Sequence, residues 1–191
     1  MKKILTLALM LSVVCSAMAQ EGTKRYEIKS GMLKSVMDVM GQSTETTLYF
    51  DNYGEQQVTK AKVKVPGYGE IETATILKDG KGWVVNYAME QVQELPASAL
   101  GDVNLANPTD EEIKTYHIEE IGTETILGKE CTKYRYEASA MGQTAKITAW
   151  VYKGIPLKSE TSVSGMTITT EAVEFIENAM VLPQTFDVPK F

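Results

Sequence analysis

The sequence is short of the residues that most enzymes use. It holds a single histidine, His117, which excludes any metal site built on two imidazoles. There are two cysteines, Cys15 and Cys131. The first lies in a leader-like segment, so neither an intramolecular disulfide nor a paired-cysteine metal site is expected. No G-x-S-x-G elbow, phosphate-binding P-loop or H-E-x-x-H helix occurs in the chain. Lysine and arginine form no cluster, and the formal charge is −6. Phosphate backbones and anionic bilayers would repel such a chain, so nucleic acid is not an expected partner. Beyond the first residues, nothing approaches the ~20 consecutive apolar residues of a membrane-spanning helix. The sequence predicts no catalytic residue, no metal and no cofactor.

What is present begins with a leader. Lys2 and Lys3 precede an apolar run from Ile4 to Val14, too short to cross a bilayer, and Ala17-Met18-Ala19 offers a small-residue cleavage site before Gln20. Bulky Val14 before Cys15 argues against lipidation of that cysteine. Cleavage after Ala19 is expected to release residues 20–191 as one periplasmic domain, with outer-membrane association left open. A domain of that length buries about 70% of its unfolded surface, and losing Lys2 and Lys3 makes it more acidic still.

Period-two alternation dominates the rest. Arg25 to Asp38 reads as one long strand with Tyr26, Ile28, Met32 and Val36 on one side, while Leu33, Met37 and Val39 call for cover on the other. A turn at Gly41-Gln42 leads into Ser43 to Asp51, with Thr44, Thr46, Leu48 and Phe50 on one side. Thr59, Ala61, Val63 and Val65 then alternate with Lys60, Lys62 and Lys64, one buried face and one wet face. The lysine row suits a solvated face better than an anion site. Asp79-Gly80 is a two-residue hairpin turn, after which Trp83, Val85, Tyr87 and Met89 share a side. Leu95 to Asn107 reads as a loop with room for one helical turn. Thr109 to Glu112 is a capping box that should open a short helix ending near Tyr116. Ile118 to Leu127 reads as irregular or strand.

Gly128 to Pro189 is a succession of hairpins, with Cys131 expected as a buried small apolar group. An internal echo links the halves. Arg25-Tyr26-Glu27 precedes Met40-Gly41-Gln42, and Arg135-Tyr136-Glu137 precedes Met141-Gly142-Gln143. Two similar long hairpins lying side by side in one sheet would explain it.

A sheet with one apolar face and little helix needs something to cover that face. The methionines, several near hairpin ends, suit core filler first and an adaptable cavity lining second. Positions that could face an apolar ligand are Ile28, Met32, Val36, Met40, Leu48 and Phe50 in the first hairpin, assigned to one face. Trp83, Val85 and Tyr87 follow in the middle, and Ala145, Ile147, Ala149 and Val151 in the later hairpin. Which parity faces inward is open at this level.

The C-terminal hairpins carry a resemblance. Thr148-Ala149-Trp150-Val151-Tyr152 followed by Gly154-Ile155-Pro156-Leu157-Lys158 resembles the W-V-D…G-L-P-L hairpin of periplasmic lipoprotein-localisation factors, the LolA/LolB-like superfamily. Leu182 to Pro189 is similar to that group's closing segment, and Leu127 to Tyr134 to a strand found in exported relatives. The resemblance implies a mainly β (α+β) fold, a curved antiparallel sheet forming an incomplete barrel with one or two short helices on its concave face. It also implies a carrier of lipids or lipoprotein acyl chains. The lid-latching arginine of those carriers has no motif match here, since only Arg25 and Arg135 exist. The alternative reading is a non-enzymatic envelope module that binds a protein partner and fills its own core.

Overall fold

The structure, a computed structural model, describes residues 24–39, 42–65, 69–96, 103–140 and 143–191. The expected leader, Met40, the Gly41 and Gly142 turns and the possible helical turn near 97–100 lie outside these residues.

Alternation becomes strand, and X-Gly pairs become the tight turns. Asp79-Gly80, Leu127-Gly128, Lys153-Gly154 and Ser164-Gly165 each have two positive φ angles and join residues directly opposed in the ladder. That backbone matches the twist of the strands it connects. The strands are β1 (Gly31–Val39), β2 (Gln42–Asp51), β3 (Gln56–Val65), β4 (Gly69–Lys78), β5 (Lys81–Asn86) and β6 (Gln91–Leu95). After helix α1 (Asp110–Tyr116) come β7 (Glu119–Ile126), β8 (Lys129–Ala140), β9 (Gln143–Tyr152), β10 (Ile155–Val163) and β11 (Met166–Glu177). All belong to one 11-stranded sheet in the order β6-β5-β4-β3-β2-β1-β11-β10-β9-β8-β7. It is curved and does not close into a barrel. Every neighbour follows in sequence except β1 and β11, which zip the two meanders together antiparallel.

Two sequence expectations need correction. The first strand begins at Gly31, not Arg25, because the preceding backbone bonds elsewhere. Arg25 and Tyr26 donate their N–H groups to the Tyr53 carbonyl, and Glu27 donates to that of Lys153. The echoing hairpins β1–β2 and β8–β9 share the sheet, but β11 and β10 separate them.

Helix α1 forms where its capping box requires. The Glu112 N–H donates to Thr109 Oγ1 at 3.2 Å, and the Thr109 N–H donates to the Glu112 carboxylate at 2.7 Å. The helix buries none of its own residues. Its flanks do the packing: Leu105 and Ile118, with Val103 and Tyr116, form a core with Ala149, Val151, Tyr134 and Tyr136. The main core gathers Tyr26, Ile28, Leu33, Phe50, Trp150, Ile155 and Leu157, among others, at one end of the sheet. Phe50 fits there because Gly31, its cross-strand partner, has no side chain; an added Cβ would lie 2.5 Å from the ring.

Candidate functional site

The ladder sorts the side chains into two unlike faces. One row runs Asn86–Thr73–Ala61–Thr46–Ser35–Ala172 from β5 across to β11, each residue directly opposite the next. The row one position away, on the opposite face, runs Glu72–Lys62–Glu45–Val36–Glu171–Lys158–Trp150–Lys133. Antiparallel partners share a face and neighbours alternate. Over its central spans the first face is therefore neutral and the second charged; at its margins the first face carries Glu120, Glu130 and Glu177. Between Gly31 and Met37, Thr44 and Phe50, Gln57 and Val63, Ile71 and Leu77, and Gly82 and Asn86, no position on the first face carries an acid or a base. The same holds from Thr132 to Ala138, Ala145 to Val151, Ser159 to Val163 and Met166 to Ala172. This neutral face also holds Leu33, Ser35, Ala61, Ile71, Thr75, Val84, Ile147, Thr161 and Ile168, all buried. The segment around α1 packs on this face at β8 and β9, and we call it the inner face.

Small side chains dominate the inner face. Thr44, Thr46, Thr59, Thr73 and Met37 are half-buried on it, and Ser35, Thr75, Asn86, Ser159 and Thr161 are buried. At β8 and β9 the segment around α1 lies on this face through Leu105 and Ile118. One end of the sheet is shut by the N-terminal segment. Tyr26 stacks edge-on against Phe50 with centroids 4.8 Å apart, and its hydroxyl donates to the Gln57 side chain at 2.9 Å. Asn104 Nδ2 donates to the Lys24 carbonyl at 3.2 Å, which ties the α1 segment to the same end.

Outside, the C-terminal segment covers the apolar part of the sheet. Phe186 is fully buried and packs with Val58, Ala74, Ile76 and Val85, flanked by Tyr49, Trp83, Tyr87, Val181 and Val188. Trp150, on the outer face, is only 3% exposed. Its Nε1 donates to Glu124 at 2.6 Å, and Lys133 and Lys158 from the neighbouring strands approach its ring at 4.4 and 4.8 Å.

The candidate ligand-facing residues therefore divide. Leu48, Phe50, Ala145, Ile147, Ala149 and Val151 are on the inner face. Met32 and Val36 are not on the face of Leu48 and Phe50; they pair with Tyr49 and Glu45 on the outside. The assignment of one face to the whole first-hairpin set failed because Tyr26 and Ile28 precede the strand and set a misleading parity. Trp83, Val85 and Tyr87 are also outside, beneath the C-terminal segment. Ile28 belongs to the end core, and Met40 lies outside the described residues. Ser35, Thr46, Thr59, Thr73 and Asn86 share this face and were not among the candidate residues. Their signal was the parity that Thr46 shares with Leu48 and Phe50, and Thr59 with Ala61, on sides the sequence already marked.

Reactive groups do not converge. Cys131 is wholly buried, its thiol donates toward the Lys129 carbonyl at 3.6 Å, and burial pushes that thiol up from its ordinary pKa. His117 is exposed and faces Glu137 at 3.7 Å. Among the described residues no three His, Cys, Asp or Glu side chains gather as a metal cluster. None of the described helices is long and apolar enough to cross a membrane.

A family model described as a domain of unknown function, DUF4412, matches residues 30–162. No curated protein matches the sequence. Among solved structures, an uncharacterized conserved protein from Thermus thermophilus aligns at 12% identity and TM-score 0.57, covering 97% of this chain and 95% of that one. A chain of the MucA/MucB complex from Pseudomonas aeruginosa aligns at 12% identity and TM-score 0.52. That alignment covers 87% of this chain but only 57% of the other. At such identities the likeness concerns the fold alone. A putative outer membrane lipoprotein-sorting domain from Vibrio parahaemolyticus gives TM-score 0.45 at 10% identity over 85% of this chain and 92% of that one. The half-barrel type implied by the C-terminal hairpins is the fold the chain has.

Proposed function

Since the chain belongs to the DUF4412 family, whose function is open, we propose from its inner face that it is an exported carrier or binder of lipids or lipoprotein acyl chains. The observation that carries this reading is the contrast between the two rows, one charged at most positions and the other at none. A sheet face uncharged over its central strands and built largely of small side chains suits the uncharged part of an amphiphile. The resemblance of the C-terminal hairpins to lipoprotein-localisation factors supports the same reading. Residues 20–191 would act as one periplasmic domain after cleavage at Ala19, with no catalytic role for Cys131 or His117.

A second reading, an envelope module that binds a protein, is favoured by one observation. The segment around α1 already occupies the inner side of β8 and β9, as a self-filled core would require. Denaturing mass spectrometry of the purified mature protein, combined with titration of a fluorescent fatty-acyl probe, separates the two. A co-purified amphiphile and saturable probe binding are expected. Absence of both would sink the carrier and leave the protein-binding module.

A further inference from the structure

The inner face is neutral without being apolar, and that difference bears on what it can hold. Ser35, Thr46, Thr73 and Asn86 occupy one continuous row from β1 to β5, with Thr59 on the same face one step toward the closed end. Resting on the carrier reading, we propose that the ligand is a neutral lipid whose ester, amide or hydroxyl groups bond to this polar band.

Within the band the Thr46 hydroxyl donates to the Ser35 carbonyl at 3.4 Å and Asn86 Oδ1 accepts from the Met89 N–H at 3.0 Å, whereas half-buried Thr59 and Thr73 would exchange solvent for any occupant of this face. Hydroxyls stripped of water and left against methylenes cost stability, whereas carbonyl or hydroxyl partners restore their bonds. A carboxylate or phosphate in the same place would be worse off. It would lose its hydration, and no lysine or arginine among the described residues of this face would compensate for the loss. The cations of these strands are on the other side; Lys34 and Lys60, for example, flank the outer Thr47. Threonine is common in strands for its shape alone, but Thr47 shows the difference in setting: the same residue type beside charge outside and in a charge-free band inside.

The test compares 1-monopalmitin with palmitate as competitors of a fluorescent acyl probe on the mature protein, at a pH where palmitate is ionised. The monoglyceride should displace the probe at a concentration at least about tenfold lower. Thr59→Val with Thr73→Val keeps shape and strand preference while removing two hydroxyls. It should cut that advantage by about threefold to tenfold and leave palmitate unchanged. Thr59→Ser with Thr73→Ser should retain the preference, and Thr47→Val on the outer face should alter neither competitor. Equal or better displacement by palmitate, or an unchanged ratio in the double valine variant, overturns the proposal. A wild-type chain that binds no acyl probe overturns the carrier reading instead.

Discussion

Gly154 sits where the N-terminal segment crosses the β9–β10 turn. An added Cβ there would lie 2.5 Å from the Arg25 carbonyl oxygen and 2.7 Å from Ala106 Cβ, at a φ of +83°. Backbone cannot yield as a side-chain tip can, so Gly154→Ala should cost about 2–4 kcal/mol in urea unfolding, from clash and left-handed strain together. Glu177 shows what charge does at the same end. It bonds Lys129 and approaches Lys153 at 3.6 Å. The Lys129 hydrogen bond holds its carboxyl below the ordinary value of 4.5. A carboxylate with a depressed folded pKa adds stability above the ordinary value and loses it as the pH falls through the folded one. Acid unfolding of Glu177→Gln should therefore begin from a lower plateau and fall less steeply than wild type below that range. Identical acid limbs in the two proteins would count against the network. Cys131 was legible beforehand as a buried small residue because free cysteine is among the most buried residue types, although Lys133 and Arg135 share its parity.

At the scale of elements, the C-terminal segment carries a separate weight. Phe186 is fully buried over β3, β4 and β5, and replacing so large a side chain leaves a cavity beneath the segment. Phe186→Ala should cost about 3–5 kcal/mol in the same unfolding assay. Leu182 to Pro189 was legible in the sequence as a closing segment, but its placement over β3, β4 and β5 was not. Period-two patterns say which residues share a side and never which side is inside. Trp83, Val85 and Tyr87 illustrate the trap: an outer face can be as apolar as an inner one when another segment lies on it. Thr46, read on the side of Leu48 and Phe50, shares their face in the ladder, yet nothing in its pattern says which side that is. Helix α1 was readable almost to the residue because its capping box is a local device, satisfied within Thr109 to Glu112.

For the whole molecule, hairpin succession gave the order of strands within each half, since consecutive strands usually pair. The seam between β1 and β11 left no local mark. Gly31 meets Glu177 and Val39 meets Ile168, contacts that no turn or short loop specifies. Curvature and the absence of barrel closure likewise follow from the ladder as a whole, and only the family resemblance anticipated them. The contrast between a row without charge and a row charged at most positions is a property of the whole sheet, and it is what the proposed carrier or binder would need. The seam has a consequence for assembly. Each half is wired by short hairpins that can close locally and early, but the sheet becomes whole only when its first and last strands find each other across nearly the full chain. That late closure costs the greatest loop entropy in the fold. Until it happens, β1 and β11 both present open edges, so a newly made chain is most exposed to foreign strands before its two ends have met.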